Sequence, residues 1–207
     1  MNAFAGYAGR MVAVSSGDVY LAYARFIRFE SGSLVPNPLT EDSQLRTRLY
    51  PYRAQAMSAE DPQFAYDKIP VEAVVLSTAE LPGTVLRLPK VYGPDQNADF
   101  ATVYRYRNHP NWRWTHGYVE NLAAAVALAA VHPNAANRTF NVGEAETPTV
   151  GERLRSLPCS CIPTDQLNTY DFNQHLVYAT DQIREDLGYR EIVSYEDGIR
   201  RTLGASV

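Results

Sequence analysis

The fold of this chain follows from one stretch, MVAVSSGDVY at residues 11–20. Its first four residues form a continuous apolar run, and a Ser-Ser-Gly sequence follows directly. Such a run is typical of a parallel strand that is buried on both faces and ends in a loop. Residues 84–88 and 139–142 have the same character, and the Ala-rich residues 119–131 predict a helix. Strands that alternate with helices indicate an α/β fold with a parallel sheet.

The composition predicts a folded protein. The 207 residues are 45% hydrophobic and 20% charged, which favours a packed core over a disordered chain. The net charge of -4 argues against a surface built for nucleic acid or for anionic lipid. No apolar run approaches the roughly 18 residues of a membrane span. We therefore expect neither nucleic acid nor a membrane as a partner.

The cysteines and the first residues bear on the compartment. Cys159 and Cys161 lie one residue apart, which is poor spacing for a disulfide between them. No second thiol or histidine pair completes a zinc spacing, so we predict no metal. The first ten residues lack the charge pattern of a signal peptide. Together these features favour a cytoplasmic protein with reduced thiols.

Four motifs carry more specific information, because they follow one another along almost the whole chain. Each combines a strand or helix end with polar or glycine residues. They are SSGDVY at residues 15–20, YDK at residues 66–68 with Glu72 after it, VLRLPKVYGP at residues 85–94, and HGYVEN at residues 116–121 followed by FNVG at residues 140–143.

In order and spacing, these motifs resemble the NAD-dependent epimerase/dehydratase family, the extended short-chain dehydrogenases that act on nucleotide sugars. The resemblance extends from about residue 11 to residue 203. It implies a partial Rossmann-like parallel sheet with helices, plus a small C-terminal substrate-domain portion. Residues 1–94 would be the C-terminal part of a dinucleotide-binding domain. Residues 95–207 would be a mixed substrate-binding portion with the last sheet strand and C-terminal helices.

The resemblance also implies roles for single residues. Ser16 would orient the reacting substrate oxygen, and Tyr66 would act as the general acid and base. Lys68 would hold the nicotinamide ribose and lower the pKa of the tyrosine, since a nearby ammonium favours a phenolate. The implied cofactor, NAD or NADP, would contact Ser15, Lys68, Pro89 and Val91. The substrate would contact Lys90 and Tyr92, although Lys90 facing solvent and Tyr92 serving only the turn remain open readings.

The tyrosine motif departs from the family pattern. The family places its tyrosine four residues before the lysine, where this chain has Phe64. Tyr66 is only two residues from Lys68, so on a regular helix the two side chains would point apart. Tyr66 can serve as the base only if the helix begins after it, which Pro70 permits because proline is tolerated in a first helical turn. The alternative is a tyrosine that only packs.

The front of the chain departs further. The family begins with a strand, a glycine-rich turn and a helix that bind the pyrophosphate. Gly6 and Gly9 follow no strand, so they do not form that turn. Roughly 60 to 80 residues of such a fold would precede the strand at residue 11. A start assigned too far downstream, a remnant, or a partner that supplies the missing half would each account for this.

These observations set the functional expectation. The sequence predicts an NAD(P)-dependent epimerase/dehydratase-like protein that works by transient hydride transfer on a nucleotide sugar or a related hydroxylated substrate. We do not expect this chain alone to bind the dinucleotide. The alternative is a catalytically inactive family remnant or a regulatory binding protein. A homodimer is left open.

Overall fold

The computed structural model describes residue 4 and residues 6–78, 80–164 and 169–204. Its main sheet has three parallel strands, with β2 in the centre between β1 and β5. A second sheet pairs β3 with β4, also in parallel. The strands are β1 Met11–Ser16, β2 Gly83–Leu88, β3 Lys90–Tyr92, β4 His116–Tyr118 and β5 Arg138–Asn141.

Seven α-helices and three short 3-10 helices connect these strands in the described part of the chain. Within it, no helix has both the length and the apolar character needed to cross a membrane. The α-helices are α1 Leu21–Phe26, α2 Ile69–Ser77, α3 Ala101–Arg105, α4 Val119–Val131, α5 Val150–Arg155, α6 Asp181–Leu187 and α7 Tyr195–Gly204; the 3-10 helices are Gly17–Val19, Arg53–Gln55 and Pro133–Ala135.

The α/β prediction with a parallel sheet is confirmed. Helix α4 has the predicted bounds, and Gly188 ends α6 in the left-handed conformation at φ 71°, which glycine adopts at little cost. The mixed composition of residues 21–53, with Pro36, Pro38 and Pro51, predicts irregular structure, yet their first six residues form α1. The prediction is wrong for these six residues. This short helix forms because it buries Leu21 and Phe26 in the core, and tertiary packing outweighs local propensity there.

Helices cover both faces of the main sheet. Side chains alternate between faces along a strand, so neighbouring residues of β2 reach different helices. Leu86 packs in one apolar cluster with Leu122 and Ala125 of α4. Arg87, the next residue, reaches Glu72 on α2 instead. The central strand β2 is thus buried on both faces, whereas β1 is only partly buried.

The larger apolar cluster is aromatic and lies beyond the sheet. Phe26 is its centre, with ring centroids 4.7 Å from Trp112 and 4.8 Å from Tyr170. Residues from both sides of position 95 contribute to this cluster, and β5 returns from the second half to the main sheet. The division into two domains at residue 95 therefore stays a prediction.

One edge of β1 lies open. The strand pairs with β2 on one side, and on its other side the described residues include no neighbouring strand. The Val14 carbonyl accepts a hydrogen bond from the Lys68 amine at 3.2 Å, and Val14 is 45% exposed. A lysine at a strand edge discourages pairing with other chains, because adding a strand there would bury its charge.

A buried ion pair joins α2 to the sheet. Glu72 accepts hydrogen bonds from Arg87 at 2.8 and 3.1 Å. Both side chains are buried, with only 6% of Arg87 and 4% of Glu72 exposed. The Ser15 hydroxyl also donates to Glu72. The guanidinium of Arg87 donates in addition to the Tyr20 hydroxyl at 3.0 Å and to the Glu41 carbonyl. One pair thus ties together β1, β2, α2 and the loop after α1.

Glu72→Ala should destabilise the protein by about 3–5 kcal/mol, because it leaves the Arg87 guanidinium buried without its carboxylate. Urea unfolding followed by circular dichroism measures the loss. Arg200→Ala is the matched control. It breaks the Arg200–Asp197 pair, whose side chains are 74% and 45% exposed, and should cost less than about 1 kcal/mol. Similar losses for the two variants would contradict the importance of the buried pair.

Candidate functional site

Ser16 lies at the carboxyl end of β1, where parallel α/β sheets bind their ligands. Its side chain accepts from the Asp18 amide at 3.3 Å and so caps the 3-10 helix that follows. Gly17 is required between them, because a Cβ there would lie 1.7 Å from the Tyr178 hydroxyl. The tight turn therefore holds Ser16 at the strand end, with the Tyr178 ring directly beside it.

A cavity of about 250 Å³ opens at this point. It forms because β1 and β2 are adjacent and parallel, so the loops after them meet at one edge of the sheet. The predicted residues Ser16, Pro89, Lys90 and Val91 all line it. The other lining residues are Asp18, Tyr23, Tyr52, Leu88, Gln96, Trp114 and Tyr178.

Tyr66 and Lys68 lie beside this cavity but do not line it. Helix α2 begins at Ile69, so neither residue is inside a helix and their spacing does not force them apart. The Lys68 amine lies 5.6 Å from the centroid of the Tyr66 ring, and that ring lies 5.4 Å from the ring of Tyr52. Phe64 points elsewhere, with the Arg53 guanidinium 4.7 Å from its ring centroid.

The electrostatics keep Tyr66 protonated. Burial raises the pKa of its phenol, and the negative charge of Asp18 raises it further, while a hydrogen bond with Ser16 acts in the opposite direction. The nearby ammonium of Lys68 does not reverse the direction. In this structure Tyr66 is therefore suited to donate a hydrogen bond, and its phenolate is disfavoured.

Asp18 is the residue that the sequence analysis missed. It is 4% exposed, and its Oδ2 accepts from the Tyr52 hydroxyl at 3.1 Å. Its Oδ1 has no hydrogen-bond partner among the described residues. Burial raises the pKa of the carboxyl, opposed by the hydrogen bond from Tyr52 and the charge of Arg46. The motif contained Asp18 two residues after Ser16, but the sequence could not show that its turn aims into a cavity.

Two predicted residues lie apart from the cavity. The Ser15 hydroxyl donates to Glu72 inside the buried network, so its hydrogen is already engaged. Tyr92 is 1% exposed, and its ring packs against those of Phe100 and Tyr118. It borders a different cavity of about 420 Å³, together with Glu144. Their predicted contacts with cofactor and substrate stay predictions.

The described residues do not form a cradle for a dinucleotide. Gly6 and Gly9 lie in a turn and a bend before β1 and follow no strand of the described residues. The space that the missing Cβ of Gly17 leaves open is occupied by the Tyr178 hydroxyl, so it is not available to a phosphate. Lys68, the implied ribose ligand, donates to the Val14 carbonyl. Nor do the described ranges gather three His, Cys, Asp or Glu side chains in a metal-binding arrangement.

Asp18→Asn should stabilise the protein at neutral pH. The pKa of Asp18 is raised above 3.8 in the folded state, so the folded protein holds this proton more tightly than the unfolded chain does. Stability from this group is therefore present below pH 3.8 and is lost as the pH rises through the folded pKa. The midpoint of thermal unfolding of Asp18→Asn should exceed that of the wild type more at pH 7 than at pH 4. Asp42→Asn, at an exposed position, should show no such difference.

Known proteins resemble this chain in structure. No protein-family model and no curated protein matches the sequence. Solved structures do match. An epimerase from Methanothermobacter thermautotrophicus has a TM-score of 0.64 at 19% identity, over 95% of this chain and 59% of that one. UDP-glucose 4-epimerase from Thermotoga maritima, with UDP-glucose, has a TM-score of 0.61 at 18% identity, over 96% and 63%.

A third structure, dTDP-glucose 4,6-dehydratase from Streptomyces venezuelae with NAD bound, has a TM-score of 0.62 at 21% identity, over 95% of this chain and 59% of that one. The chain thus spans less than two thirds of the length of these three proteins. Within that span, the predicted resemblance is confirmed at the level of the fold: the chain has the Rossmann-like architecture of the NAD-dependent epimerases, dehydratases and related short-chain dehydrogenases.

Proposed function

We propose that this chain provides the substrate side of an NAD(P)-dependent epimerase/dehydratase-type reaction, which proceeds by transient hydride transfer on a nucleotide sugar or a related hydroxylated substrate. The observation that carries the proposal is that Ser16 lines the cavity and hydrogen-bonds with Tyr66, while the Lys68 amine lies 5.6 Å from the centroid of the Tyr66 ring. Residues far apart in the sequence, from the end of β1 and the start of α2, converge there. A packing role for Tyr66 alone would not require this arrangement.

The chain's own residues account for proton handling at this site. Ser16 can donate a hydrogen bond to a substrate hydroxyl or keto oxygen at the cavity edge. Tyr66, whose raised pKa keeps its phenol protonated, can donate a hydrogen bond to the same ligand. Asp18 is the group suited to receive a proton, because its free Oδ1 is buried and its raised pKa makes it a stronger base than an exposed aspartate. The described residues supply no hydride acceptor, and we assign them no part in that step.

The size of the cavity indicates which part of a ligand it takes. Its 250 Å³ falls below the range of about 300–1,000 Å³ used by drug-sized ligands. A single sugar ring fits this volume, whereas a sugar with its nucleotide needs more. The tyrosine side chains around it offer apolar rings with polar tips, which suit the mixed surface of a sugar. A nucleotide sugar would thus place its sugar inside and its nucleotide outside.

One observation favours a second candidate, a regulatory or binding protein of the same lineage without turnover. Phe64 stands where the family has its tyrosine, and the phenol of Tyr66 is disfavoured as a base by burial and by Asp18. Binding of the sugar would survive these changes, but catalysis through a phenolate would not. The two candidates differ in whether Tyr66 contacts the ligand or only packs against the protein.

UDP-glucose should bind this chain, and Ser16→Ala should weaken binding by about 2- to 10-fold, the effect of one lost hydrogen bond. Isothermal titration calorimetry gives the dissociation constants. Ser33→Ala, at an exposed site away from the cavity, should leave them unchanged. Absence of saturable binding, or equal effects of the two variants, would overturn the proposal.

Tyr66→Phe tests the two candidates against each other. If Tyr66 contacts bound UDP-glucose, its hydroxyl donates a hydrogen bond to the ligand. Removing that hydroxyl should then weaken binding as much as Ser16→Ala does. Phe64→Tyr is the matched control, because it makes the reciprocal change at a residue that contacts Arg53 and not the cavity. If Tyr66→Phe has no effect, the packing role is correct and the binding-protein candidate is favoured.

NADH fluorescence tests the cofactor prediction separately. Because the described residues form no pyrophosphate cradle, the purified chain should show no saturable enhancement at micromolar NADH. A titration with and without UDP-glucose measures this. Clear saturation would show that the chain binds the dinucleotide by residues other than a glycine-rich turn.

A further inference from the structure

The chain uses lysine at only two positions, and both lie at the candidate site. Among its 19 basic residues, 17 are arginine, and the two lysines are Lys68 and Lys90. Arginine stays charged at any pH a protein experiences, whereas a lysine can lose its proton when it is buried. A chain that otherwise uses arginine for its cations thus has one of its two lysines, Lys90, in the lining of the cavity.

The surroundings of Lys90 differ from those of Lys68. Lys68 donates to the Val14 carbonyl at the strand edge. The amine of Lys90 has neither a hydrogen bond nor an ion pair within the described part of the chain; it lies 5.8 Å from the centroid of the Trp114 ring and lines the 250 Å³ cavity. Lys90 is thus a partly buried amine that faces open space.

Two effects favour the neutral form of this amine. Burial lowers the pKa of Lys90, and the positive charge of Arg105 lowers it further, while Asp99 acts in the opposite direction. The neutral amine has a free electron pair and is a nucleophile, which an ammonium is not. The same cavity contains the Ser16 hydroxyl and the Asp18 carboxyl, which can hydrogen-bond the oxygen atoms of a hydroxylated ligand.

We propose that Lys90 condenses with the aldehyde or ketone group of a small hydroxylated ligand in this cavity and forms an imine. The nitrogen electron pair forms the new C–N bond, and the carbonyl π electrons move to oxygen. That oxygen leaves as water with both hydrogens of the amine, so the step needs no oxidant, reductant or cofactor. The proposal rests on the cavity and the amine, and it is independent of hydride transfer.

Reductive trapping tests the proposal directly. The protein is incubated with D-glyceraldehyde and sodium cyanoborohydride at neutral pH, and the reduced adduct is located by peptide mass spectrometry. Lys90 should be modified several-fold faster than Lys68, because the Lys90 amine faces the cavity whereas the Lys68 amine is engaged by the Val14 carbonyl. Lys90→Arg keeps the positive charge and should remove this adduct, and its circular dichroism spectrum and unfolding midpoint confirm that it folds.

An ordinary surface lysine gives the matched control. Arg155→Lys introduces an amine at an exposed position on α5, and this amine should be modified several-fold more slowly than Lys90 in the same sample. Asp18→Asn should slow the trapping of Lys90 without changing that of the introduced amine. If Lys90 reacts no faster than the introduced amine, the proposal is wrong. Weak UDP-glucose binding together with fast trapping would overturn only the proposed function.

Discussion

Glu72 and Arg87 form the interaction on which the rest of the structure depends. The pair is buried between α2 and β2, and each partner is satisfied by further hydrogen bonds: Ser15 donates to Glu72, and Arg87 donates to the Tyr20 hydroxyl. Tyr20 in turn donates to Asn141 at 2.6 Å, so the network crosses from β1 through β2 to β5. Burying two charges is costly, and full satisfaction of their hydrogen-bonding groups is what offsets this cost.

The network positions the site because its members adjoin the functional residues in sequence. Ser15 precedes Ser16, so the hydrogen bond of Ser15 to Glu72 fixes the strand end that presents the Ser16 hydroxyl to the cavity. Glu72 lies in the first turn of α2, directly after Lys68 and Tyr66. The ion pair therefore sets the distance between the two halves of the site, although neither of its members touches the cavity.

Much of the fold could be predicted from the sequence, because its signals are local. The Ala-rich run closed by His132-Pro133 defines α4, and Gly188 marks the end of α6. The features that could not be predicted depend on contacts distant in the sequence. Helix α1 forms because Phe26 packs against Trp112 and Tyr170, more than 80 residues away.

The candidate site, like the fold, could be predicted from the sequence only in part. The family resemblance implied roles for Ser16, Lys68 and Lys90, and these roles stay predictions. The role of Asp18 was hidden, because its burial arises from Tyr52 and from the turn that Tyr178 constrains. The orientation of Tyr66 depended on where α2 begins, and a difference of a few residues there decides whether Tyr66 and Lys68 meet. Helix boundaries of that precision are set by tertiary contacts, here the anchoring of Glu72 by Arg87.

The pKa shifts of the side chains around the cavity favour proton transfer. Burial disfavours charge on an acid and on an amine alike, so it raises the pKa of Asp18 and lowers that of Lys90. Their pKa values therefore approach each other, and moving a proton between a carboxyl and an amine costs less here than in water. Both effects follow from the position of the cavity between the sheet edge and the aromatic cluster. A site of this kind can exchange protons with a bound hydroxyl or carbonyl group through the chain's own side chains, whatever supplies or accepts a hydride.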